Sequence, residues 1–137
     1  MQTPFSFKDF HVADFSIQRS PKKAGKINIE VEPKGYVDYK KKSFLLDLDV
    51  IVTDDIESFK IQANCLGFFK FKDIKDESIV IEDYFYANAP AIVFPFIRSF
   101  ICGVTSLSGM ETINVPVINF TKFLKDKLKN NIKEITK

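Results

Sequence analysis

The feature that most limits what this chain can fold into is the stretch from Tyr84 to Phe120, where only Arg98 and Glu111 interrupt 37 otherwise uncharged residues. Its centre, Ile92 to Leu107, is apolar all the way round a helix, and a helix of that kind belongs inside a protein or against another chain. The run is also too short and too interrupted for a membrane span, so the sequence predicts no membrane insertion. Ala89-Pro90 suits a helix start, because Pro is tolerated in a first turn. Pro95 should kink the run or delay its regular start. From Pro95 to Leu107 only Arg98 and the small Ser99, Thr105 and Ser106 break the apolar surface, and Gly109 is a good stop. The rest of the chain must cover this helix, or partner chains must.

Upstream the period is two. Phe5 and Phe7, Phe10 and Val12, and Phe15 and Ile17 form three alternating pairs whose phase slips twice; a bulge near Ala13 and Asp14 would absorb the second slip. Arg19 to Lys26 is a polar crossing loop. Ile27, Ile29 and Val31 make a one-sided strand that Pro33 and Gly35 should close, with Tyr36 to Lys42 as a polar connection. Phe44, Leu46, Leu48, Val50 and Val52 line one face of a third strand. After a hairpin-length loop, Phe59, Ile61, Ala63, Cys65, Gly67, Phe69 and Phe71 line the facing one. Four antiparallel strands, each with one wet face, follow. Ile79 to Tyr86 reads equally as a strand or a helical turn.

Downstream, Met110 to Ile118 is extended and Asn119 is a helix cap. Phe120, Phe123, Leu124, Leu128, Ile132 and Ile135 then recur at helical spacing opposite Lys122, Lys125, Asp126, Lys129 and Lys133. This predicts an amphipathic C-terminal helix. The fold class is therefore α+β: a four-stranded antiparallel sheet with two C-terminal helices in one domain of 137 residues.

The inventory for catalysis is thin. His11 has no Cys, Asp or Glu partner at ligand spacing, so no metal or cofactor is expected, and no phosphate-loop, nucleophile-elbow or zinc motif occurs. Asp47 with Asp49, and Glu30 with Glu32, share strand faces but read as solvated. Cys65 and Cys102 read as buried, reduced thiols of a cytoplasmic protein. The N-terminus has neither a basic nor an apolar leader region. A net charge of +2 is too small to argue for nucleic acid. The charge is nevertheless uneven: from Lys122 onward six Lys face two acids.

Fifteen Phe, four Tyr and no Trp mean either a Phe-rich core or an apolar binding surface. A sheet with one wet face buries only one layer of helix, and the helix at Pro95 to Leu107 is apolar on both sides. A second layer has to come from another subunit, so the chain is expected to self-associate. Cys102, Gly103 and Ser106 are small enough for close helix approach.

The run ANAPAIVFPFIRSFICGVTSLSGMETINVPVINFTKFL resembles the core signature of the SecB export chaperones. The residues that carry the resemblance are Pro90, Phe94, Pro95, Phe96, Arg98, Pro116, Val117, Asn119 and Phe120. The order of strands before them is similar too, and the likeness covers residues 5 to 133. It implies a homotetramer built as a dimer of dimers, and a chaperone that holds unfolded preproteins without ATP. By position it places a peptide groove at Ile27, Ile29, Val31, Phe59, Ile61, Phe68, Phe69, Phe71, Phe120, Phe123, Leu124 and Leu128, with plain core as the competing reading at each. It places the subunit interface at Phe94, Phe96, Ile97, Phe100, Ile101, Gly103 and Val104. The family docks the SecA motor through an acidic patch and an acidic tail. Here the patch positions read Asp14, Gln18, Lys60 and Gln62 and the tail is basic, which argues against a standard SecA hand-off. A SecB-like chaperone dedicated to one partner, such as an antitoxin, is the alternative. A binder of lipid or small molecules in a Phe-lined cavity is a third reading.

Overall fold

A computed structural model describes residues 4–21, 23–73, 80–109, 111–115 and 120–135, with the side chains of residues 120–123 outside the description. Strands β1 (Phe5–Arg19), β2 (Ile27–Asp38), β3 (Ser43–Asp54) and β4 (Phe59–Phe71) precede helices α1 (Ile81–Asp83), α2 (Ala89–Leu107) and α3 (Phe120–Lys129), and a short β5 (Ile132–Glu134) follows. The sheet order is β1-β4-β3-β2-β5, antiparallel throughout except for the parallel β2–β5 pair. Among the described residues the sheet therefore has five strands rather than four.

The two phase slips in β1 are real. Register shifts fall between Phe7 and Asp9 and between Val12 and Asp14, so that Phe5, Phe7, Phe10, Val12, Phe15 and Ile17 stand opposite Phe71, Phe69, Gly67, Cys65, Ala63 and Ile61. One extra residue at each bulge puts three out-of-phase pairs on the same face.

Strand β2 does not end at Pro33. Gly35 donates its N–H away from β3, to the Asn131 carbonyl at 3.1 Å. Pro33 has the same parity, so its missing N–H faces outward and removes no bond of the β2–β3 ladder. Residues 36–38 are likewise strand, and the turn starts only at Tyr39. There the Asp38 carboxylate accepts the N–H groups of Lys40 and Lys41, the local bonding that makes Asp a turn former.

The ambiguous segment before Pro90 is helical. Ile81–Asp83 runs through a π-helical turn at Tyr84–Asn88 into α2, where the Ala89 N–H reaches the Tyr84 carbonyl. A wide turn is a natural join here, because Pro90 has no N–H to give to a carbonyl one regular turn back. Pro95 does not delay α2 either. It sits on the exposed side with Ala91, whose freed carbonyl faces water. The helical run from Ile81 to Leu107 is 27 residues with a mean hydropathy of 1.6 in its most apolar window, which corrects the expectation that it is too short to cross a bilayer. Its row Ala89, Val93, Ile97, Ile101 and Thr105 is nevertheless buried on the sheet. Gly67 makes that seat possible: a Cβ there would lie 2.5 Å from Val93 Cγ2. Gly109, at φ +79°, ends the helix as expected.

After α2 the chain doubles back. Thr105 Oγ1 donates to the Ile101 carbonyl and accepts the Ile113 N–H at 3.0 Å, while Arg98 Nε donates to the Val115 carbonyl at 2.9 Å. Ile113 and Val115 are buried. The expected cap Asn119 lies outside the described residues. Helix α3 buries Leu124 and Leu128 but stops at Lys129. Ile132 and Ile135 are not on it: Asn130 and Asn131 form a turn and Ile132 begins β5. Asn is a poor helix interior and a good turn residue.

Candidate functional site

Among the described side chains seven Phe are buried: Phe5, Phe44, Phe59, Phe69, Phe71, Phe85 and Phe94. Phe44 stacks on Phe85 at 4.3 Å between ring centroids, and Phe5 on Phe69 at 4.7 Å. Among the described side chains, Phe7, Phe10, Phe15, Phe68, Phe96 and Phe100 are at least partly exposed, on β1, α2 and the outer sheet.

The expected groove positions separate. Val31, Phe59, Ile61, Phe69, Phe71, Leu124 and Leu128 are covered by the chain itself. Alternation along β2 and β4 turns them toward the layer that α2 and α3 cover. Phe68, one residue out of phase, is on the opposite face, edge-on to His11 at 5.2 Å. Ile27 and Ile29 are half-buried at the end of β2 where the crossing loop arrives. The side chains of Phe120 and Phe123 lie outside the described residues.

The expected interface positions separate as well. Phe94, Ile97 and Ile101 point into the chain's own core, a correction: the row at every fourth residue is the one that meets the sheet. Phe100, Gly103 and Val104 are half-buried and Phe96 is 42% exposed. A Cβ on Gly103 would meet nothing within 4 Å.

What the sequence reading missed is the role of β1. Among the described residues it has a strand neighbour, β4, on one side only, and its apolar residues climb onto the flank of α2. Phe96 packs on Phe7 and Phe10 at 5.1 and 5.3 Å, and Phe100 meets Phe15 edge-on at 5.2 Å. Phe15 is 49% exposed and Leu107 90%. An aromatic strip thus runs beside the outer edge of β1. The signal was present as the three alternating pairs of β1. On the other flank of α2 a groove of about 510 Å³ is lined by Pro95, Arg98, Ser99, Cys102, Gly103 and Val115. Cys102 is half-exposed there, not buried. Cys65 is buried, and that burial, with the charges of Asp49 and Asp47, pushes its thiol up to about 12.

The crossing loop is pinned by one carboxylate. Buried Asp54 accepts the N–H of Gly25 at 2.8 Å, the N–H of Ser58 at 2.8 Å and the Ser58 hydroxyl. Burial raises the Asp54 pKa, but these donors outweigh it and hold the group below its ordinary value. Between the pinned loop and the end of α2 lies a cavity of about 300 Å³ with Phe59 and Ala24 in its wall and Arg19, Lys23 and Glu111 around it.

The outer face of the sheet is acidic at its centre. Asn64 Nδ2 donates to both Asp47 and Asp49, at 2.6 and 2.8 Å, and Asp49 stands beside Glu32 and Asn64 beside Asp14. Its acids therefore lie on β2 and β3 as well as at Asp14. Among the described residues no group of three His, Cys, Asp or Glu is placed to hold a metal.

A family model described as preprotein translocase subunit SecB matches residues 3–131. The chain belongs to the SecB family. A protein-export protein SecB of Anaplasma phagocytophilum is 28% identical over 81 residues, 58% of this chain and 51% of that protein; the match spans about half the length of that relative. Among solved structures, a SecB-like chaperone of Mycobacterium tuberculosis in complex with a ChAD peptide from an antitoxin is similar. Its TM-score is 0.70 at 10% identity, over 84% of this chain and 88% of that one. A protein of unknown function from Streptococcus agalactiae matches with a TM-score of 0.50 at 12% identity, over 82% and 97% of the two chains. At such identities the likeness is one of fold.

Proposed function

We propose that this SecB-family chain is a chaperone of protein export that holds unfolded polypeptide without ATP and works as an oligomer of its own copies in the cytoplasm. The observation that carries the reading is the SecB family match over residues 3–131. The apolar surface supports it, because exposed aromatic side chains bind diverse unfolded segments without a sequence code. A second copy fits the edge of β1 that has no partner strand among the described residues and the outer side of α2, where Phe15, Phe96 and Leu107 are exposed and Phe100 and Gly103 half-exposed. Edge pairing would continue the sheet and bury the strip at the same time. Client segments then run along the other end, over Ile27, Ile29, the crossing loop and the start of α3. A SecA hand-off is not part of this reading, since Gln18, Lys60 and Gln62 interrupt the outer face next to Asp14.

A dedicated-client version is favoured by one observation, the similarity to a chaperone solved with an antitoxin peptide. The test of both is suppression of aggregation of a reduced, unfolded protein in the absence of ATP. Saturable suppression supports the general holdase. Failure there, together with one stoichiometric partner co-purifying from cells, supports the dedicated form. Failure on both counts overturns the reading.

A further inference from the structure

The end of the sheet opposite β1 carries a feature that the family match does not reach. Strand β5 is three residues long, pairs parallel with Gly35–Val37 and begins just past residue 131, where the SecB match stops. Two backbone bonds flank it: the Gly35 N–H donates to the Asn131 carbonyl at 3.1 Å, and the Ile135 N–H to the Val37 carbonyl at 2.7 Å. One side chain seats it. Ile132 fills the notch that Gly35 leaves, where a Cβ would lie 2.9 Å from Ile132 Cγ1 and 2.9 Å from the Phe44 ring. Lys133, Glu134 and Ile135 stay exposed.

The same edge continues upstream without a partner strand among the described residues. From Ile27 to Pro33, β2 pairs only with β3. Ile29 and Val31 share the parity of Gly35, so their N–H groups point outward as its does. The edge is thus open where Ile27 and Ile29 are half-exposed and closed where β5 lies. A three-residue strand resting on one half-buried side chain is an element at the low end of local stability.

We propose that the β2 edge at Gly35–Val37 is a strand-accepting site, that β5 is its internal occupant, and that an extended client segment displaces β5 by seating a branched aliphatic side chain over Gly35. This rests on the chaperone reading above. The occupant follows from the fit: the notch takes the side chain that Ile132 presents, and the edge is continuous with the open half of β2. While β5 is seated, the apparent affinity for client is lowered by the fraction of molecules that are open.

The test uses the full chain and fluorescently labelled, reduced and carboxymethylated α-lactalbumin as the unfolded probe. Ile132→Asp unseats β5 and binds the probe on the order of tenfold tighter than the parent chain. In the double variant Tyr36→Cys/Lys133→Cys, whose positions are register partners, the oxidised form locks β5 in place. It binds on the order of tenfold more weakly than the same protein after reduction; the reduced form shows that the fold is intact. Equal affinity of locked and reduced forms, with the parent chain binding the probe, overturns the strap and leaves the chaperone reading standing. No binding by any form overturns the strap together with the general holdase on which it rests.

Discussion

Gly67 sets the distance between α2 and the sheet, and Gly67→Ala tests it. The added methyl would stand 2.5 Å from Val93 Cγ2 and 3.1 Å from Phe69 Cε2, about 1 Å inside normal carbon contact. Val93 is fully buried and β-branched, so in a helix it has one good rotamer and cannot swing aside. Either α2 lifts or the strand bends, at a cost of about 1–3 kcal/mol. Replacing a strand glycine lowers the entropy of the unfolded chain and returns about 0.4–1 kcal/mol. The net expectation is a loss of about 1–2 kcal/mol, read from urea unfolding followed by far-UV circular dichroism at fixed protein concentration. Val93→Ala alone opens a cavity and costs about 2 kcal/mol. In Gly67→Ala/Val93→Ala the new methyl occupies the space of the one removed. The two losses should then fall short of their sum by about 1–2 kcal/mol. Strict additivity would refute the argument that Gly67 and Val93 set the packing distance. The same lift should loosen Phe96 from Phe7 and Phe10, so weaker self-association of Gly67→Ala is expected as well.

Phe96→Asp should dissociate the proposed oligomer, seen as a lower mass in light scattering with an unchanged circular dichroism spectrum. Ile101→Asp should instead abolish folding, because Ile101 has no exposed surface and a buried, unpaired carboxylate costs several kcal/mol or forces a pKa shift. The folded pKa of Asp54 is depressed, so its stabilisation is fully present above an ordinary Asp value of about 4 and is lost as pH falls through the lower folded value. Asp54→Asn should therefore be less stable at pH 7 and lose that part of its acid dependence; an unaltered dependence in urea titrations at pH 7, 4 and 3 would contradict the role given to the loop carboxylate. Arg98→Met removes the bond to the Val115 carbonyl. It should cost about 1–3 kcal/mol and expose residues 111–115 to limited proteolysis.

How much of this was legible depended on whether local chemistry had competition. The four strands were, down to the two slips in β1, because period two survives a bulge as a phase change that can be counted. Gly109 was legible as a stop for the same reason. Pro33 was not: whether a proline ends a strand depends on which way its nitrogen faces, and that follows from the register of β2 against β3. Ile132 and Ile135 keep helical spacing with Leu124 and Leu128, yet a two-Asn turn and the notch at Gly35 make Ile132 part of a strand.

The sites divide along the same line. Residue types alone determined a helix with two apolar sides, and left the Phe content open between core and surface. Which side of α2 meets the sheet was decided only in three dimensions. Ile97, Ile101 and Phe96 are equally apolar, and composition is blind to the phase of a helix that is apolar all round. The gap at Gly67 and the aromatic flank of β1 fix that phase, turning Ile97 and Ile101 inward and leaving Phe96 on the outside.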